Sequence, residues 1–101
     1  MHFLLTYEMA PDYLERRAPL RGEHLKLAWE SCDRGELLLA GAFADPADSA
    51  ALLFKGDTPA AAEAFAAADP YVKNGLVKHW RVRKWTTVVG EEASISTRPA
   101  G

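Results

Sequence analysis

Three short stretches of this chain are apolar on consecutive positions: Phe3-Leu4-Leu5-Thr6-Tyr7, Leu37-Leu38-Leu39 and Ala51-Leu52-Leu53-Phe54. None is long enough for a helix. None alternates between apolar and polar residues as a strand with one wet face would. They predict strands over Phe3 to Tyr7, Glu36 to Phe43 and Ser49 to Lys55, each avoiding water on both sides. A fourth, longer strand is predicted from Leu76 to Val89, with Trp80 and Val82 on one side and Val77 and Trp85 on the other.

Helical stretches separate these strands. Asp12 can cap a short turn through Leu14 to Arg17, and Pro19 then divides the segment or opens a second helix at its first turn. Leu25, Ala28, Trp29 and Cys32 recur at the spacing of one helical face, and Gly35 stands where a helix-terminating glycine belongs. Ala44 to Asp48 is a turn by composition. Thr58 followed by Pro59 signals the next helix start. The alanine-rich run that follows is predicted to bury Ala61, Ala64, Phe65 and Ala68. Asp69-Pro70 ends it and can cap one further turn to Gly75.

The resulting order is βαββαβ, the split βαβ arrangement, and its class is α+β, ferredoxin-like. Right-handed crossovers put both helices on one face of a four-stranded antiparallel sheet. Two helices cover one face only, yet the first three strands are apolar on both. A second copy of the same sheet is the commonest cover for such a patch, so a homodimer is expected. The domain is expected to span residues 1–89, with residues 90–101 a loose polar tail.

Composition removes several functional classes. With a net charge of -2 over 101 residues, the chain has no global basic field to hold nucleic acid or an anionic membrane. The run Lys78 to Lys84 is basic, but it alternates with apolar residues as a strand with one wet side does. Cys32 is the single cysteine, so no internal disulfide forms, and on an apolar stripe it reads as a buried inert thiol. The apolar N-terminal stretch lacks the pattern of a signal peptide, no segment is long enough to span a bilayer, and the expected address is the cytoplasm. His2, His24 and His79 are scattered without metal-ligand spacing, and no G-x-G loop or serine nucleophile motif occurs. What these patterns leave is acid/base chemistry with no metal and no cofactor, or simple binding of a small molecule.

His24 and Asp69 are the candidate acid/base pair. An imidazole titrates near neutral pH, which suits it to proton transfer. Arg17 and Arg21 lie four apart with His24 three beyond, so a continuous helix gives them one face. Arg21 can then hold an anionic or phenolic oxygen beside the imidazole. The structural alternative makes His24 a boundary residue, the arginines a solvated edge and Asp69 a plain helix cap. Spacing leaves both open.

Three segments resemble the YciI-like family: Arg21-Gly22-Glu23-His24-Leu25 its R-x-x-H-L signature, Gly35 to Gly41 its G-x-L-L-x-A-G segment, and Asp69-Pro70-Tyr71-Val72 with Gly75 its D-P-Y-V-x-x-G ending. They occur in the family's order across most of residues 3 to 85. The resemblance implies a ferredoxin-like, dimeric α+β barrel-like protein whose assigned site holds a His and an Asp, here His24 and Asp69. A related enzyme removes chloride from a chlorinated hydroxyquinol, so the resemblance implies a lyase or isomerase acting on a small aromatic or enolisable compound. Arg21, Tyr7 and Tyr71 would hold its polar groups. Two positions depart from the family pattern: Ala42-Phe43 stands where Pro often follows the strand-two glycine, and Glu8-Met9 where an acidic residue commonly follows the first strand. A non-catalytic binding or accessory homodimer is the competing reading. A third borrows haem handling from the wider barrel architecture, with His79 as ligand.

Overall fold

Alternation along the first strand decides which face of the sheet is covered. In a computed structural model that describes residues 1–95, 97 and 99, Phe3, Leu5, Tyr7 and Met9 of β1 (His2–Met9) are all buried on one face. The helices lie there. Two of them, α1 (Tyr13–Arg16) and α2 (Ala18–Asp33), precede β2 (Leu37–Ala42) and β3 (Ser49–Lys55). Then follow α3 (Ala60–Ala68), α4 (Pro70–Lys73) and β4 (Val77–Trp85). The strands form one antiparallel sheet in the order β2-β3-β1-β4, the ferredoxin-like α+β topology expected from the element order. In the core, β1 contributes Leu5 and Tyr7, β3 Leu52 and Phe54, and α3 Ala62, Phe65 and Ala66. No helix among the described residues is long and apolar enough to cross a membrane.

Both helix stops that frame the site follow the same local chemistry. Gly35 has φ +81°, its N–H donates to Cys32 O, and the Glu36 N–H donates to Ser31 O. Gly75 has φ +76°, with its N–H on Val72 O and the Leu76 N–H on Tyr71 O. These paired bonds close the last carbonyls of each helix and require the left-handed backbone that glycine adopts without strain. Asp12, by contrast, makes no side-chain cap; its carboxylate faces Arg16 at 3.5 Å.

Several expected details change. Strands β2 and β4 are shorter than predicted, and residues 86–89 leave the sheet. Val77 belongs to the core with Trp80 and Val82 rather than opposite them. The β1–β4 register shifts between Glu8 and Met9, so two β4 residues span one step of β1 and the parity inverts. Helix α3 buries Ala62, Phe65 and Ala66, whereas Ala64 and Ala68 face water. On α2 Ala28 and Cys32 pack against the core as expected, together with Leu20 and Leu27, and Ser31 is buried, whereas Leu25 is exposed and Trp29 is 64% exposed.

The second face of the sheet carries no helix. Leu4 and Leu53 are half-buried there, Leu39 is 73% exposed, and Arg81 and Arg83 project from β4. His79, the residue considered as a haem ligand, is exposed beside Glu8 and lies away from the cavity described below. Of the expected tail, residues 96, 98, 100 and 101 lie outside the described residues. Ser94 turns back so that its N–H donates to Thr87 Oγ1 (2.8 Å), and Thr87 Oγ1 lies 2.6 Å from His2 Nδ1.

Candidate active site

The junction between α3 and α4 places Asp69 beneath α2. Pro70 forces the preceding residue out of the helical region, and Asp69 takes φ -65°, ψ 121°. Its carboxylate then caps α4, with Oδ1 accepting from the Tyr71 N–H at 3.0 Å. The same Oδ1 lies 2.8 Å from His24 Nδ1. Oδ2 accepts from the Tyr7 hydroxyl at 2.7 Å. Capping and imidazole contact, which spacing presented as alternatives, are met by one oxygen. Asp69 is 0% exposed, so all of its partners are protein groups on three elements.

His24 arrives from the middle of α2, with its side chain 16% exposed. Its ring stacks on Tyr71 at 3.9 Å between centroids and 9° between planes, and meets Phe65 edge-on at 6.1 Å. A carboxylate without its proton only accepts, so a neutral imidazole that hydrogen-bonds to it here would carry its proton on Nδ1 and leave the Nε2 lone pair free. Tyr71 in turn meets the edge of Tyr13 at 5.9 Å. Arg17 lies 5.5 Å above the Tyr13 ring, and its Nη1 donates to the Tyr13 hydroxyl at 3.3 Å.

These groups line one side of a cavity of about 460 Å³. Arg17, Arg21 and His24 share its wall with Tyr7, Tyr13 and Tyr71; the remaining wall is apolar, including Leu25, Trp29, Leu37 and Leu52. Among the described residues no carboxylate lines it, and Arg17 and Arg21 make no ion pair. No group of three or more His, Cys, Asp or Glu side chains is placed to hold a metal ion among the described residues.

Of the five residues singled out from the sequence, Tyr7, Arg21, His24 and Tyr71 line the cavity and Asp69 is buried behind His24, with different geometry from that expected for Tyr7. Its hydroxyl is engaged by Asp69 and does not stand free for a bound molecule. Tyr13, Arg17 and Trp29 were not among those five. Arg17 already belonged to the basic face read with Arg21 and His24, and the i, i+4 series Tyr13-Arg17-Arg21 extends that face one step upstream to Tyr13. Cys32 is half-buried: it packs against the core, as expected, and also lines the cavity.

Burial pushes the Tyr7 phenol far above its ordinary value of 10.0, and the neighbouring Asp69 charge and hydrogen bond push it in the same direction. Tyr71 is also raised by burial and by Tyr13, while the Arg17 and Arg21 guanidiniums pull it back. The unfolded chain ionises Tyr7 above pH 10 and the folded chain does not. Stability from this group is therefore complete below pH 10 and falls as pH rises beyond it, by about 1.4 kcal/mol per pH unit. Urea denaturation between pH 8 and pH 11 checks this: Tyr7→Phe is expected to flatten the decline, and an unchanged slope would contradict it.

The YCII-related domain model matches residues 1–86. Protein YciI of Escherichia coli O6:H1 is 34% identical over 97 residues, which cover 87% of this chain and 99% of that protein. Among solved structures, 5-chloro-2-hydroxyhydroquinone dehydrochlorinase from Burkholderia phenoliruptrix AC1100, in complex with 2,5-dihydroxybenzoquinone, superposes with a TM-score of 0.72 at 19% identity, covering 86% of this chain and 95% of that one. A putative antibiotic biosynthesis monooxygenase from Deinococcus radiodurans superposes with a TM-score of 0.55 at 16% identity over the full length of both chains. These two likenesses speak to the fold alone. With the family model spanning nearly all of the βαββαβ unit, this chain belongs to the YCII-related domain family.

Proposed function

We propose that this chain is an enzyme that binds a small planar anion in the His24 cavity and moves a proton on it, as a lyase or isomerase does. The observation that carries the reading is the 2.8 Å contact between His24 and a fully buried Asp69, at the wall of a cavity that, among the described residues, two arginines alone line with charged side chains. Asp69 fixes the imidazole and stabilises the imidazolium once Nε2 has taken a proton. The arginines receive the negative charge that develops on a substrate oxygen as a neighbouring C–H or O–H bond gives up that proton. Returning the proton at another atom completes an isomerisation. Delivering it to a departing group completes an elimination. The apolar wall and the exposed Trp29 indole suit a flat ring.

The quinone in the dehydrochlorinase complex is planar with ionisable oxygens, so 2,5-dihydroxybenzoquinone is a fitting first probe. NMR titration with it, with hydroxybenzoates and with their neutral amides or ethers tests the charge preference. Anions are expected to perturb His24 and Tyr71 and to bind at least about tenfold tighter than neutral isosteres. Arg21→Gln should weaken the anions by a similar factor and leave the neutral compounds unaffected. Preference for neutral compounds would overturn the reading.

A second copy is expected to cover the open sheet face, where Leu4, Leu39 and Leu53 lie together. Light scattering on the eluting protein should give twice the chain mass, and Leu53→Lys should lower it. A monomer at tens of micromolar would contradict this.

A further inference from the structure

The geometry points to Tyr7 as a positioning residue that selects the His24 tautomer through Asp69. This rests on the reading of His24 as the proton carrier. A carboxylate has two equivalent oxygens, and rotation about its last bond exchanges them. Here they are made unequal: Oδ1 faces both His24 Nδ1 and the Tyr71 N–H, while Oδ2 has the Tyr7 hydroxyl alone, at 2.7 Å.

Tyr7 is suited to fix that rotamer. It sits in the central part of β1, paired to Ala50 on one side and Trp80 on the other, and is 2% exposed. A phenol with two side-chain torsions on such a backbone has little freedom to follow a moving carboxylate. Burial and the adjacent negative charge keep it protonated, so it can only donate in this bond. Without it, Oδ2 would be buried and unpartnered, and the carboxylate would turn to recover a donor. That turn takes Oδ1 away from the imidazole. Nδ1 then loses its reason to hold the proton, and the Nε2–H form, which cannot accept a proton from a substrate, gains population.

The measurement is long-range 1H–15N correlation of the His24 ring at a pH where it is neutral. The unaltered protein should show the Nδ1–H tautomer. In Tyr7→Phe the ratio of Nε2–H to Nδ1–H is expected to rise about fivefold or more, the change that one lost hydrogen bond makes. Phe3→Leu, buried on the same face of β1 and with no part in the Asp69 hydrogen bonds, should lower stability and leave the tautomer ratio unmoved. If Tyr7→Phe folds and the ratio stays at the parent value, the positioning role is wrong. If Tyr7→Phe does not fold, the Tyr7 13Cζ resonance in the unaltered protein decides: it should move with the His24 titration, and a static resonance overturns the proposal. Proton exchange by the parent enzyme is read separately. Exchange with an unmoved ratio removes the role of Tyr7 alone, and a shifted ratio without exchange removes only the catalytic reading of His24.

Discussion

Asp69→Ala should destabilise the fold by about 3–5 kcal/mol, more than any other single truncation of a polar side chain here. The carboxylate is fully buried and accepts from the Tyr7 hydroxyl, the Tyr71 N–H and His24. Alanine leaves all three donors without a partner, and each unsatisfied buried donor costs about 1–3 kcal/mol. Relief from desolvating the carboxylate offsets part of that sum. Loss of the α4 cap is contained within it, because the Tyr71 N–H is one of the three. Asp69→Asn is the informative partner, since its carbonyl can still accept on one side while its amide can face the Tyr7 oxygen. It should cost about 1–2 kcal/mol. Urea denaturation of both variants measures this. A loss below about 1 kcal/mol for Asp69→Ala would mean that the three contacts contribute little.

His24→Gln is expected to lower proton transfer by about a hundredfold to ten-thousandfold, the span attributed to one positioned acid/base group. Stability should change by less than about 1 kcal/mol, because the glutamine amide reaches the same carboxylate and the ring lies at the cavity wall rather than in the core. Binding of the anion should survive, since Arg17 and Arg21 are untouched. Loss of turnover with retained binding separates proton transfer from simple recognition. Equal losses of both would assign His24 to binding.

Much of the fold was legible because local signals agreed. The range Ser49–Lys55, the glycine stop at Gly35 and the one-turn helix after Asp69 are each set by residues within a few positions. Helix α3 was harder: eight of its nine positions are Ala or Glu, so only Phe65 marks a side, and the buried face came out displaced. Val77 was misplaced because nothing in its own neighbourhood announces the register shift opposite Glu8 and Met9. On α2, Ala28 and Cys32 of the expected stripe do pack against the core beside Leu20 and Leu27, while Leu25 and Trp29 are exposed and mark the cavity wall. A hollow beside a helix turns apolar residues outward from the core, and periodicity alone cannot tell the two apart. The meeting of His24 with Asp69, 45 positions later, and of Asp69 with Tyr7, 62 positions earlier, depends on how the helices cross the sheet. Residue types named the candidates, and the fold brought them together.

Solvent exchange tests the proton-transfer claim most directly. The unaltered protein and His24→Gln would be incubated in deuterated water with the tightest-binding anion of the panel, and loss of its C–H signal followed by NMR. The expected result is exchange at a carbon next to an ionised oxygen, slowed at least about a hundredfold in His24→Gln. Exchange at the same rate in both proteins, or none in either while the anion is bound, would contradict it.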